Sequence, residues 1–182
     1  KLEEALFFPT ENADTEEKSF SSGRLHMTST VPTLKVPFYR KQKEKLGESH
    51  PYQSHPYLGT YFYRLNTKKS PTSDIRVRKA LAMTIDRKLI VERVTRGGQM
   101  PATSFTPPNT GGYTFRSGNL PLQVTPKVMQ EARRLLSEAG YKDPSKMPKI
   151  EILYNTSEGH KKIALAIQQM WKKNLGIKVE LY

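Results

Sequence analysis

Hydrophobic and polar positions along this chain alternate between strand-like and helix-like spacing, most clearly after residue 57. The run Tyr57-Leu58-Gly59-Thr60-Tyr61-Phe62-Tyr63-Arg64-Leu65-Asn66 is aromatic and includes a Thr. These residue types suit a pleated, half-buried surface and predict a strand. Alternation puts Tyr57, Gly59, Tyr61 and Tyr63 on one face and Leu58, Thr60 and Phe62 on the other. Asp74 then offers a carboxylate to the free amides of a first helical turn, and Val77, Ala80, Leu81, Thr84 and Ile85 recur at helical spacing. Asp86 restarts a helix, with Leu89, Ile90 and Val94 near one face, until Gly97-Gly98. The stretch 101–122, rich in proline and glycine, predicts an extended loop.

The last third is the most regular. Thr125 and Pro126 fill the cap and first-turn positions of a helix whose Val128, Ala132, Leu135, Leu136 and Ala139 form an apolar stripe, and Gly140 supplies the left-handed stop. Residues 149–155 read as a strand, Ser157 opens a helix burying Ile163, Ala164, Ile167, Met170 and Trp171, and residues 177–182 read as a second strand after Asn174-Leu175-Gly176. Strand, helix and strand with short joints predict a right-handed parallel crossover. Before residue 57 the expected elements are short: strands at 5–8 and 25–28, helices at 15–20 and 34–46, and a linker over 49–56, where Pro56 lacks the amide a central strand needs. The fold class expected is mixed α/β (α+β), a mixed sheet with flanking helices and a C-terminal βαβ unit.

Composition narrows this picture. A chain of 182 residues accommodates one domain, or one domain and part of another. Apolar residues make up 36%, with a mean hydropathy of -0.66, at the polar end for a globular chain. The absence of cysteine removes disulfides and thiol chemistry, and no apolar run reaches the roughly 20 residues of a membrane span. The chain opens without a signal-like segment and stops within a predicted strand, so a segment of a longer protein is expected. A net charge of +13 raises the alternative of a basic nucleic-acid-binding module. The cations are distributed over separate helices, as Arg76, Arg78 and Lys79, Arg133 and Arg134, and Lys161, Lys162, Lys172 and Lys173. Each group falls on a polar side, the pattern of solvated helix faces.

The aromatic run ending in Asn66, the Asp74-Ile75-Arg76-Val77-Arg78-Lys79-Ala80-Leu81 helix and Ile85-Asp86-Arg87 form one motif string. Further matches follow in order: Gly98 to Ala102 with Thr106-Pro107-Pro108, then Ala132 to Tyr141, then Leu153 to Ser157 and Trp171 to Val179. In register over 57–182, these resemble the extracytoplasmic solute-binding proteins of the peptide and nickel class, the oligopeptide- and dipeptide-binding proteins of ABC importers. The resemblance implies a fragment of a two-lobed periplasmic-binding-protein-like fold. In it, residues 1–56 are the tail of the neighbouring lobe plus a linker, and residues 57–182 are part of the C-terminal peptide-binding lobe. It also implies an extracytoplasmic monomer that captures a peptide ligand by hinge closure and delivers it to a membrane permease and ATPase complex. A metal-complex or sugar receptor of the same family is the alternative, since fold does not fix the ligand. No cofactor, nucleic acid or catalytic role is implied.

His160 stands in a first helical turn just beyond the carboxyl end of a predicted strand, where ligands settle in open α/β sheets. Free amides at a helix start favour negative charge, so the position suits a carboxylate or a peptide carbonyl. Asn155 can serve the same crevice. On the residues alone, a strand-ending Asn and a partly buried first-turn His explain both better than a ligand site does, and only the resemblance brings the two readings level. The resemblance adds that Tyr154-Asn155-Thr156-Ser157-Glu158-Gly159-His160 matches a stretch bordering the ligand cleft. It likewise makes Tyr57 and Phe62 candidate cleft-wall residues, with Thr30 a third. Enzyme motifs are missing: there is no Gly-x-Ser-x-Gly, His-Glu-x-x-His or phosphate loop. The histidines at 26, 50, 55 and 160 lack metal-ligand spacing.

Overall fold

The computed structural model describes residues 2–182; Lys1, at the head of the predicted tail, lies outside the described residues. The chain divides into two compact units, Lys1–Tyr52 and Gln53–Tyr182.

In the first unit, α1 (Ala13–Ser21) starts where the Asn12 side chain accepts from the Thr15 amide. The second helix, α2 (Val36–Leu46), carries a proline in its first turn and ends at Gly47, whose φ of 68° needs no Cβ. Glu17, on α1, is buried. Its carboxylate accepts from Lys35 and Tyr39 and, at 3.0 Å, from Ser21. The bonds from Lys35 and Tyr39 hold this carboxyl at about 2, well below its ordinary range. The strands expected at 5–8 and 25–28 do not form among the described residues. Phe7 is 91% exposed. A short extended segment acquires ladder hydrogen bonds only from a neighbouring strand, and none is offered within this unit.

The second unit is organised by helical stripes that meet a small sheet. Its α3 (Ile75–Met83) begins at Asp74, whose carboxylate accepts from the Arg76 amide at 2.7 Å. The Arg76 guanidinium and amide hold that carboxyl down at about 2. Val77, Ala80, Leu81 and Thr84 are completely enclosed, the stripe expected from spacing. Thr84 satisfies its hydroxyl on the Ala80 carbonyl at 2.8 Å. After Asp86 the single helix expected is a short α4 (Arg87–Leu89) running into a wider π-helical stretch, Ile90–Thr95. Arg96, in the left-handed conformation, ends it before Gly97. Ile90 and Val94 pack on the core, whereas Leu89 is exposed. The stretch 101–122 contains no regular element.

Helix α5 (Pro126–Glu138) is capped by Thr125 and followed by Gly140 at φ 94°. Ala132 and Leu136 are buried and Leu135 and Ala139 partly so, while Met129 takes the core position expected of Val128. Two parallel strands, β1 (Ile150–Ile152) and β2 (Val179–Leu181), pair in the register Ile150 with Val179 and Ile152 with Leu181. Between them α6 (Glu158–Leu175) buries Ile163, Ala164, Ile167, Trp171 and Leu175. Met170, expected on that face, lies at its margin, and Leu175 and Ile177 complete the enclosure. The Trp171 indole donates to the Leu81 carbonyl at 3.0 Å, so the largest core ring is also a polar tie to α3.

The strand expected over 57–66 is absent. Residues 53–66 form neither helix nor strand, and the Gly59 amide turns back to the Tyr57 carbonyl at 2.9 Å. Aromatic propensity favours a pleat, but a strand exists only where another backbone supplies its ladder.

Candidate functional site

The carboxyl ends of the two strands open onto the start of α6. One further ladder bond, from the Tyr154 amide to the Tyr182 carbonyl at 3.0 Å, carries the pairing past β1. The chain then leaves the sheet at Asn155 and Thr156, and Ser157 caps α6 by accepting from the His160 amide at 3.4 Å. His160 is half-buried in the first turn, and its Nδ1 is hydrogen-bonded to Oδ1 of Asn155. The Tyr61 ring lies against the imidazole, with centroids 4.9 Å apart and planes tilted by 52°. Tyr63 meets Tyr61 edge-on at 5.7 Å and packs on the core. The Tyr63 hydroxyl is buried and has no hydrogen-bond partner among the described residues. Burial pushes this phenol up, so it stays neutral.

The neighbouring positions point the other way. Thr60 donates through Oγ1 to the Phe105 carbonyl at 2.7 Å, and the Phe62 ring meets the Phe105 ring edge-on at 5.0 Å. The Arg64 guanidinium sits 5.7 Å from the Phe62 centroid, a cation–π contact. Residues 61 and 63 therefore serve His160 and the core, while 60 and 62 serve the long loop. The two-residue alternation read from the sequence survives here although the strand does not. The loop is closed on itself, because a Cβ at Gly118 would meet the Thr103 carbonyl oxygen at 1.8 Å. Its far end is tied by Arg87, which donates to the carbonyls of Ala82, Ile85 and Pro121 at 3.0–3.3 Å, and by the Lys88 amide on Leu122.

Of the five candidate residues, His160 and Asn155 are in contact and Phe62 belongs to the adjoining aromatic cluster. Tyr57 is 89% exposed, its ring folded back over Gly59. Thr30 is exposed in the first unit. Two residues of the cluster were not singled out. Tyr61 had a usable signal, since alternation put it on the same face as the core residue Tyr63. Phe105 had none, because an irregular loop has no period. A separate groove of about 440 Å3, lined in part by Arg133, Lys142, Lys172 and Lys173, surrounds the opposite end of α6. There the cations offset the carbonyl end of the helix dipole. No group of three or more His, Asp or Glu side chains among the described residues could hold a metal ion. The cluster around His160 offers a ring nitrogen, a carboxamide, aromatic faces and a helix start, which suit non-covalent recognition.

Known proteins are similar to this chain over nearly all of its length. The family described as Bacterial extracellular solute-binding proteins, family 5 Middle, matches residues 1–182. The periplasmic murein peptide-binding protein MppA of Escherichia coli (strain K12) is 41% identical over 182 residues, covering 99% of this chain and 32% of that protein. The crystal structure of the periplasmic oligopeptide-binding protein OppAIV from Borrelia burgdorferi aligns with a TM-score of 0.82 at 35% identity, over 96% of this chain and 33% of that one. Haemophilus influenzae OppA, solved in complex with RPPGFSPFR, aligns at 0.77 and 35% identity, over 93% of this chain and 33% of that one. The chain thus spans about a third of the length of the curated relatives it matches. Members of this family are solute-binding proteins and not enzymes. This chain belongs to the bacterial extracellular solute-binding proteins, family 5.

Proposed function

We propose that this chain supplies one wall of the ligand cleft in the peptide-capturing receptor of an ABC importer, at the extracytoplasmic face of the cell membrane. The observation that carries the reading is the capped turn from Tyr154 to His160, where Asn155 and Tyr61 hold an imidazole at the start of α6. It lies beyond the carboxyl ends of two parallel strands, the usual place for a ligand in α/β folds. The peptide-binding relatives at 35–41% identity support a peptide as the ligand class. In this reading residues 1–56 are the tail of a neighbouring lobe with its linker, and residues 57–182 are part of the C-terminal peptide-binding lobe. The partners are the peptide and a membrane permease with its ATPase. An extended peptide is held by its main chain, and hydrated pockets tolerate its varied side chains. His160, Asn155 and Phe62 line the wall, with Tyr57 and Thr30 at more exposed positions.

Calorimetric titration of the complete receptor with peptides of two to five residues tests this. His160→Ala is expected to weaken binding by about 0.5–1.5 kcal/mol, the net worth of one hydrogen bond, and only for peptides long enough to reach it. Binding of a metal complex or a sugar in place of peptides, identified by mass spectrometry of the co-purified ligand, would overturn the reading.

A further inference from the structure

The charge of the chain is unevenly distributed. Residues 1–52 carry eight cationic and eight acidic side chains, so the net +13 belongs wholly to residues 53–182, with 22 Lys and Arg against nine Asp and Glu. Most of those acids are engaged elsewhere: Asp74 holds Arg76, Glu131 and Glu138 hold Arg134, Glu151 holds Lys69, and Glu180 holds Lys149. At the groove around the carboxyl end of α6, by contrast, Arg133, Lys142, Lys172 and Lys173 make no ion pair among the described residues. The acid nearest to them in sequence, Asp143, is taken by Ser145 and Lys146. The carbonyl end of a helix dipole amounts to about half a charge, so four cations leave a large excess. A concave surface lined by one sign of charge concentrates its potential.

The groove lacks the fittings of a small-anion site. The backbone amides of Tyr141 and Gly176 are bonded to the Leu136 and Lys172 carbonyls, so these donors are closed to a ligand. The guanidinium of Arg133 is turned to the Asn174 carbonyl at 3.4 Å. What remains are the exposed ammonium groups of Lys142, Lys172 and Lys173. Carried on flexible stems, they answer to charge density more than to the shape of one ligand. Their match is an extended array of anions, and at the surface of a membrane that array is the phosphate headgroups of acidic lipids.

We propose that the groove at the carboxyl end of α6 docks the receptor on an anionic lipid bilayer. This rests on the chain being part of an extracytoplasmic receptor. The 18 residues of α6 span about 27 Å, so a surface that engages Lys172 and Lys173 leaves the crevice at the strand ends clear for its ligand.

Co-sedimentation of the complete receptor with vesicles tests this. Vesicles of phosphatidylglycerol and phosphatidylcholine in equal amounts should bind it, and vesicles of phosphatidylcholine alone should not. Binding should fall as salt shortens the Debye length from about 10 Å at 0.1 M to about 3 Å at 1 M. Each lysine at an anionic surface strengthens partition roughly 5-fold, so Lys172→Gln with Lys173→Gln should weaken it about 25-fold. The same helix supplies the control. Lys161→Gln with Lys162→Gln removes equal charge about 16 Å away, beyond the Debye length of about 8 Å at 0.15 M, and should stay within about 2-fold of wild type. The amide spectrum of α6 verifies that both variants fold. Equal losses in the two variants would reduce the effect to net charge and overturn the proposal. So would no binding to the anionic vesicles, or binding of duplex DNA or polyglutamate in their place. Peptide titration of the same receptor separates this proposal from the functional reading. A receptor that holds vesicles but no peptide removes the peptide reading and leaves the docking surface standing, and one that captures peptide but ignores vesicles does the reverse.

Discussion

In the unit Lys1–Tyr52 the enclosed side chains are Glu17, Pro32 and Val36, whereas Gln53–Tyr182 encloses a continuous apolar cluster from Val77 to Ile177. The first unit gathers its helices around a buried carboxylate satisfied by Lys35, Tyr39 and Ser21. The second gathers α3, α5 and α6 around Leu81, Leu136 and Trp171, with one indole hydrogen bond crossing the core. A short segment with few apolar positions cannot remove enough surface from water to order itself by burial alone. Charge-assisted hydrogen bonds supply directional ties there, and an acid left without its partners becomes costly. The two units should accordingly fail for different reasons.

The sharpest test of the apolar side is Trp171→Ala. Removing a buried Trp costs about 3–5 kcal/mol and also removes the indole hydrogen bond to the Leu81 carbonyl, which keeps the Thr84 hydroxyl as a donor. Urea denaturation followed by circular dichroism should show a midpoint displaced accordingly, with loss of amide protection in α6. A midpoint close to the wild-type value would mean that the core is not held by this ring.

On the polar side, Glu17→Gln should cost about 1.5–3 kcal/mol, the range for hydrogen bonds to a charged group, read from amide exchange in α1 and α2. The same site gives that unit a pH dependence. Glu17 is held at about 2 in the folded state against an ordinary 4.5. Its stabilisation is complete above the higher value and is lost as pH falls through the lower one. Amide spectra of α1 and α2 recorded between these pH values should therefore show progressive loss, and Glu17→Gln should abolish that dependence. Protection in these helices that ignores both changes would erase the contrast between the units.

Smaller effects sharpen it further. Thr125→Ala removes the cap of α5 and should cost about 1 kcal/mol, visible as fraying of its first turn while Ala132 and Leu136 stay protected. Gly118→Ala should lower the unfolding midpoint slightly, because the added Cβ meets the Thr103 backbone and the loop must move. It should also shift the ring resonances of Phe105 and Phe62, as the added Cβ forces the loop away from Thr103. Unchanged ring resonances would mean that the closure of the loop does not set the position of Phe105.

The second unit was far more legible than the first. Helices α3, α5 and α6 follow from apolar positions three and four apart and from the caps Asp74, Thr125 and Ser157, all of which act over a single turn. The left-handed stops at Gly140 and Gly176 are local in the same way. His160 and Asn155 could be placed beside one another because a strand end, a capped turn and a helix start leave a short chain few alternatives. The same reasoning failed at residues 5–8, 25–28 and 57–66, where residue preference suggested strands. A helix closes its hydrogen bonds within itself, but a strand borrows them from another segment.

The sequence by itself therefore determined the helices, their caps and buried stripes, the strand–helix–strand order, and the family through its ordered motifs. Only the tertiary structure decided that Tyr61 covers the imidazole, that Asn155 faces Nδ1, and that Phe105 meets Thr60 and Phe62. Local periodicity and capping are written into neighbouring residues. A contact that spans the 45 positions between Thr60 and Phe105 depends instead on how a loop without any period closes, and no short-range preference encodes that.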